Sequence, residues 1–281
     1  MTKRKRPAQL WCTPEEKIQF QLIQKQSEMN ELTTRRQVNK NLKQSFLDVT
    51  QQNYMDDQTN LFDIKLFGRR VLVIGDLHAP FILNGYLEHC KEIYKQWACN
   101  TVVFIGDVID NHYASYHETN PNGMGGKEEL DRAIEKLSPW NKAFPNAYVT
   151  IGNHDRIIMR KATTSNVPRQ WIRTYKEVLK TPNWVFTESL EIDDVMYIHG
   201  EGGTAKTKAK NDLQSVVQGH LHSQCYIEFL VGNKRKVFGM QVGCGINKTS
   251  YAMAYGKNFR KPIISCGVVI EGNPYIEMMN L

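Results

Sequence analysis

Val71-Leu72-Val73-Ile74-Gly75-Asp76-Leu77-His78 decides how this chain is read: four consecutive apolar residues run straight into glycine, aspartate and histidine. A strand apolar at every position has no face to offer water. It belongs in a sheet covered on both sides, as parallel α/β sheets are. Ligands of such sheets bind beyond the carboxyl ends of the strands, so Asp76 and His78 are expected in a crevice there. The pattern then repeats. Val102-Val103-Phe104-Ile105 leads into Gly106-Asp107-Val108-Ile109-Asp110, and Ala147-Tyr148-Val149-Thr150-Ile151 leads into Gly152-Asn153-His154-Asp155. Val216-Val217 precedes Gly219-His220-Leu221-His222, and His199-Gly200 forms a fifth cluster. Clusters of Asp, His and Asn projected into one crevice predict a metal site. Carboxylate, imidazole and amide donors suit Mn²⁺, Fe or Zn²⁺ better than a thiolate set would.

In order and spacing the five clusters resemble the calcineurin-like metallophosphoesterase superfamily, whose pattern is GDxH, GDxxD, GNH[DE], a lone His and GHxH. One Gly-Asp pair would mean only a turn; five clusters in sequence carry the resemblance. It spans residues 75 to 222, and the fold it implies extends over roughly 70 to 280. That fold is an α/β sandwich, two mixed sheets flanked by helices. The resemblance also implies roles. Asp76, His78 and His222 hold a first divalent ion, and Asn153, His199 and His220 hold a second. Asp107 bridges them by lending an oxygen to each. Mn²⁺ is the expected ion, with Fe, Zn²⁺ and Mg²⁺ as alternatives. Two such ions clamp a phosphoryl group and activate a water.

By the same resemblance His154 does proton work at the phosphate, and Asp110 is the carboxylate that orients it. Read without the resemblance, Asp110 is a loop cap and each histidine taken singly is structural. His112 and Arg156 are candidate substrate contacts. The plain alternatives are an exposed loop histidine and a surface ion pair. His117 shares that loop, and His89, on the first helix, is expected to be structural. Gly243-Cys244-Gly245 is either a turn that brings backbone to the site or a strand-end bend.

The chain has 281 residues, a net charge of +7 and six widely spaced cysteines with no C-x-x-C pair. Buried free thiols in a reducing cytoplasm are expected. No apolar stretch approaches a membrane span, and no apolar core follows the basic Met1–Pro7 start. Two regions are expected, a helical extension over 1–60 and a phosphoesterase domain over 61–281. In the extension, Thr13-Pro14-Glu15-Glu16 reads as a capped helix start. A second helix near Thr34 carries Arg35, Arg36, Lys40 and Lys43, which are either solvated or a nucleic-acid contact.

From 61 onward the pattern predicts strands over 61–66 and 70–74, and helices over 85–98 and 128–142. Helical material continues to Lys180. Hairpins are expected around Gly232-Asn233 and Gly272-Asn273-Pro274. Asn111 stands where the family's protein Ser/Thr phosphatases carry a phosphate-clamping Arg, which disfavours that branch. The sixty or so residues after His222 leave no room for the capping domain of the repair exonucleases. The expected function is hydrolysis of phosphodiester bonds in nucleic acid or a nucleotide, so the partners expected are a phosphate-ester substrate, DNA or RNA among them. A phosphomonoesterase on a small substrate and a catalytically silent binding module are the competing readings.

Overall fold

The computed structural model describes residues 64–66, 69–116, 118–256 and 261–280. The helices expected within 1–60, and His117, lie outside these. Six strands form the first sheet: β2 (Arg70–Ile74), β3 (Thr101–Phe104), β4 (Ala147–Thr150), β5 (Trp184–Thr187), β11 (Ser265–Ile270) and β12 (Asn273–Met278). Their order is β12-β11-β2-β3-β4-β5, and β2 to β5 are parallel. The second sheet adds β1 (Ile64–Leu66), β6 (Leu190–Ile192), β7 (Val195–Ile198), β8 (Ser215–Gln218), β9 (Tyr226–Val231) and β10 (Lys236–Gln241). It runs in the order β1-β6-β7-β8-β10-β9, with β7, β8 and β10 parallel. The clusters after β2, β3 and β4 therefore leave one sheet side by side, and those after β7 and β8 leave the other in the same way.

Two apolar layers explain the unbroken runs. Val71, Val73, Val103 and Ile105 pack between the sheets against Leu190, Tyr197, Val217 and Met240. Leu72, Ile74 and Phe104 point to the other side, where helices cover them. Helix α1 (Tyr86–Gln96) buries Tyr86, Cys90 and Ile93, and α2 (Gly126–Ala143) buries Glu129, Ala133, Leu137 and Trp140. Both sets fall on one helical face. Alternate residues of each strand thus serve different layers, and neither face can be polar.

Two expectations need correction. The stretch to Lys180 is not one helix. It breaks into α3 (Ile157–Thr164), a 3₁₀ turn (Arg169–Trp171) and α4 (Tyr175–Leu179). Asn166 takes a left-handed φ of 55°, and Pro168 pushes Val167 out of helical backbone. The turn between β11 and β12 is Glu271-Gly272, since Ile270 pairs with Asn273. Both turn residues have positive φ, the two-residue hairpin geometry that matches sheet twist. Pro274 lies in β12, an edge strand, where a missing donor is tolerated. The other hairpin closes over four residues, Gly232 to Arg235, which include the expected Gly-Asn pair. The remaining helix, α5 (Ala205–Asp212), follows the His199 cluster with Thr204 as its cap.

Cys90, Cys99, Cys244 and Cys266 are buried free thiols and Cys225 is half-buried. Among the described residues no helix is long and apolar enough to cross a membrane.

Candidate metal centre

The loops after the parallel strands are laced by backbone. The amides of Leu77 and His78 both donate to the Asp107 carbonyl, at 3.1 and 2.9 Å, and Gly245 donates to the Asp76 carbonyl at 2.8 Å. The Gly243-Cys244-Gly245 segment thus lies against the first cluster, and Cys244 bridges Asp76. His78, Asp107 and His220 have φ values of 48°, 48° and 68°, sparsely populated backbone for side chains of this size. Two glycines are needed for space. A Cβ on Gly152 would fall 2.1 Å from Asp107 Oδ1, and one on Gly219 would fall 2.4 Å from Asp76 Oδ1.

Two donor groups result. In one, His222 Nε2 lies 3.0 Å from Asp76 Oδ2 and 3.2 Å from His78 Nε2. In the other, His199 Nε2 lies 3.0 Å from Asn153 Oδ1 and 3.2 Å from His220 Nδ1. Asp107 joins them through Oδ2, which is 3.5 Å from His78 Nε2 and 3.1 Å from His199 Nε2. Its Oδ1 accepts the His154 amide at 2.8 Å. A single oxygen therefore faces both groups, in place of the one oxygen for each that the resemblance implied. His220 and His222 serve different groups although only Leu221 separates them.

Imidazole orientation is set from behind, as for metal-ligating histidines. His78 Nδ1 meets Asp110 Oδ1 at 2.5 Å, and His199 Nδ1 donates to the Ile105 carbonyl at 2.9 Å. Both Nε2 atoms are left facing inward. Asp76, His78, Asp107 and His199 are almost fully buried, and burial pushes the His78 imidazole below its ordinary pKa, with His154 adding to the shift. Burial opposes the charge of Asp107, yet the imidazoles of His199, His154 and His78 hold its carboxyl well below the usual range. His199 is pushed up to about 10, since Asp107 outweighs its burial, whereas burial and His199 lower His220. Buried nitrogen and oxygen atoms packed this closely fit divalent ions. Asp76–His78–His222 and Asp107–His199–His220 each bring their donor atoms within 4.8 Å of one another. So does His78–Asp107–His154, which shares two members with those sets.

His154 stands at the edge of the centre. Its Nδ1 donates to the Asp110 backbone carbonyl at 2.7 Å, with the Asp110 carboxylate farther off at 3.4 Å. Asp110 therefore holds His154 by its carbonyl and His78 by its carboxylate, where the resemblance gave it one task. Burial opposes the charge of His154, but Asp107 and Asp110 raise its pKa on balance.

The two expected substrate contacts lie beside the donor groups with protein partners of their own: His112 Nδ1 is 3.9 Å from Asp110 Oδ2, and Arg156 lines a cavity with His199. His112 Nε2 accepts the Asn120 amide at 3.1 Å, and its ring meets Tyr251 edge-on. Arg156 pairs with Glu188 and Glu201 and donates to the Ile151 carbonyl. His89 is remote, beside the Glu277 carbonyl and Cys266. Asp155 is the residue sequence reasoning passed over. Its two oxygens accept the amides of Ile109 (3.2 Å) and Gly152 (2.8 Å), tying the loops after β3 and β4 together. It ends the third cluster, which was its signal. Glu129 does the same for the loop after Asp110, accepting the amides of His112 and Tyr113. Nothing in the spacing pointed to it.

Residues 69–208 match the model of the calcineurin-like phosphoesterase family. No curated protein matches the sequence. Among solved structures, the phosphoesterase Yfce from E. coli is 14% identical, with 71% of this chain and 87% of that chain covered at a TM-score of 0.33. A metallophosphoesterase from Sphaerobacter thermophilus is 13% identical, covering 75% and 88%, at 0.38. Vacuolar protein sorting 29 from Cryptosporidium parvum is 17% identical, covering 76% and 98%, at 0.37. Likenesses this distant carry no substrate across.

Proposed function

This chain belongs to the calcineurin-like phosphoesterase family, and from that premise we propose that it hydrolyses phosphodiester bonds in nucleic acid or a nucleotide. The metal-dependent phosphoesterase activity is the family's; the choice of diester rests on the charge around the site. A phosphate monoester carries close to two negative charges at neutral pH, and a diester carries one. Stripping water from the monoester calls for an added cationic clamp, usually arginine. Here Arg156 is spent on Glu188 and Glu201, and the Asn111 amide is spent on the His154 carbonyl at 3.0 Å. That economy of positive charge favours the singly charged substrate.

In this reading Asp76, His78 and His222 would hold one ion, and Asn153, His199 and His220 the other, with Asp107 shared between the two groups. Mn²⁺ is the ion proposed for this mixed oxygen and nitrogen set. When bound, the pair supplies Lewis acidity for attack of water on phosphorus. His154 then has a separate task. Its Nδ1 is committed to the Asp110 carbonyl, so Nε2 is the atom that carries a transferable proton. Nε2 protonates the oxygen of the departing alcohol, which would otherwise leave as a poor alkoxide.

The test is a Mn²⁺-supplemented panel of bis-p-nitrophenyl phosphate, p-nitrophenyl phosphate, cyclic nucleotides, DNA and RNA. The diester should give the higher kcat/KM of the two nitrophenyl esters. A monoester preference would sink the diester reading and leave the family activity standing.

A further inference from the structure

A stretch of one-signed charge lies just past the catalytic cluster. Between Asp155 and Glu177 there is no acidic residue, while Arg156, Arg160, Lys161, Arg169, Arg173 and Lys176 are cationic. Six positive charges within 21 residues, with no carboxylate among them, make this segment strongly cationic. Arg156 is neutralised by its two glutamates, but Arg160, Lys161 and Arg173 are exposed. Aromatic rings lie among them. Trp171 is 83% exposed and Tyr116 is 56% exposed. Tyr116 is brought to the segment from the loop after Asp110, with the Arg160 guanidinium 5.0 Å and the Lys161 ammonium 5.4 Å from its ring centre. A lone exposed Trp needs no explanation. Two exposed rings near cations that lack a carboxylate partner among the described residues do, because that pairing satisfies bases by stacking and phosphates by charge.

We infer that the exposed rings and cations of this segment, Trp171 and Arg173 together with the Tyr116, Arg160 and Lys161 cluster, bind a single-stranded polynucleotide that is the substrate of the metal centre. The inference rests on the diester reading and deepens it. Tyr116 lies six residues beyond Asp110 and Arg160 six beyond His154, so the face is anchored on the two loops that flank the proposed scissile bond. Duplex is the poorer ligand, since its bases are already stacked and unavailable to Trp171. An acidic protein would match the cations but leave both rings without a planar partner.

The full chain, with Mn²⁺ withheld by chelator so that nothing is cleaved, is titrated with fluorescein-labelled oligo-dT and oligo-rU across a salt series. Anisotropy is the readout. Single strands should bind more tightly than a duplex of equal length. Arg160→Ala/Lys161→Ala should weaken binding and flatten the log-log salt slope by about 1.4, at roughly 0.7 per phosphate contact on single strands. Trp171→Ala should lose roughly 5- to 100-fold in affinity, with Trp171→Phe restoring most of it. Thermal melts near wild type show that the variants are folded. The inference is overturned if wild type does not bind oligonucleotide, if the double variant keeps affinity and slope, or if polyglutamate competes as well as oligo-dT. Wild-type cleavage of bis-p-nitrophenyl phosphate reports separately on the diester reading, which survives any of those outcomes.

Discussion

Asp107 has no spare capacity. Oδ1 holds the His154 amide and Oδ2 faces both donor groups. Asp107→Asn removes the anionic charge, and its NH2 faces either both donor groups or the His154 N–H, depending on which way the amide turns. Losing a group that only hydrogen-bonds a metal ligand typically costs 10–100-fold, so losing this shared ligand should cost at least about 100-fold in kcat, with fewer ions bound. Elemental analysis beside turnover checks it; two full ions and near-native turnover would refute it. His154→Ala should leave metal content intact and slow natural diesters by roughly 10²–10⁴-fold. Nitrophenyl esters, whose leaving group needs no proton, should suffer much less. Equal slowing of both substrate types would remove the leaving-group role.

His199 supplies a prediction in pH. With its imidazole held up at about 10 in the metal-free protein, it keeps a proton through neutral pH and must lose it to become a ligand. Apparent Mn²⁺ affinity should therefore rise with pH, by about tenfold per unit for one displaced proton, and fall on acidification. Calorimetry between pH 6 and 8, in buffers of different ionisation enthalpy, measures both affinity and proton release. Affinity independent of pH would contradict the charge state given to His199.

At the scale of elements, the centre depends on loops being held to one another. Asp155→Ala would strand two buried amides, those of Ile109 and Gly152. Each unsatisfied buried donor costs about 1–3 kcal/mol, so destabilisation of roughly 2–6 kcal/mol is expected, read as a lower midpoint in denaturant. A shift below 0.5 kcal/mol would show that water takes over the clamp. The strands feeding these loops were legible because burial on both faces forces unbroken runs such as Val71–Ile74. Asp155 was visible only as a letter in a cluster, and its work between two loops depends on strand order. The breaks at Asn166 and at Glu271-Gly272 were missed for a related reason. A local propensity tells that a turn is near, but strand register decides which residues make it.

For the molecule as a whole, two sheets and five α-helices among the described residues agree with the sandwich that the clusters implied. The sequence could not show how loops from two sheets meet, nor that Arg156 is consumed by Glu188 and Glu201 from distant segments. Every proposed ligand lies between Asp76 and His222, outside residues 1–60. Removing residues 1–60 should leave cleavage of small nitrophenyl diesters intact, and loss of all activity would refute that division.

The central claim is diester hydrolysis by a two-ion centre, and one titration meets it directly. Chelator-stripped full-length protein receives Mn²⁺ stepwise while the initial rates on bis-p-nitrophenyl phosphate and p-nitrophenyl phosphate are followed. The predicted result is no hydrolysis without metal, a diester rate that saturates as the second equivalent binds, and a slower monoester rate throughout. Saturation at one equivalent, hydrolysis that survives chelation, or a faster monoester rate at every step would contradict it.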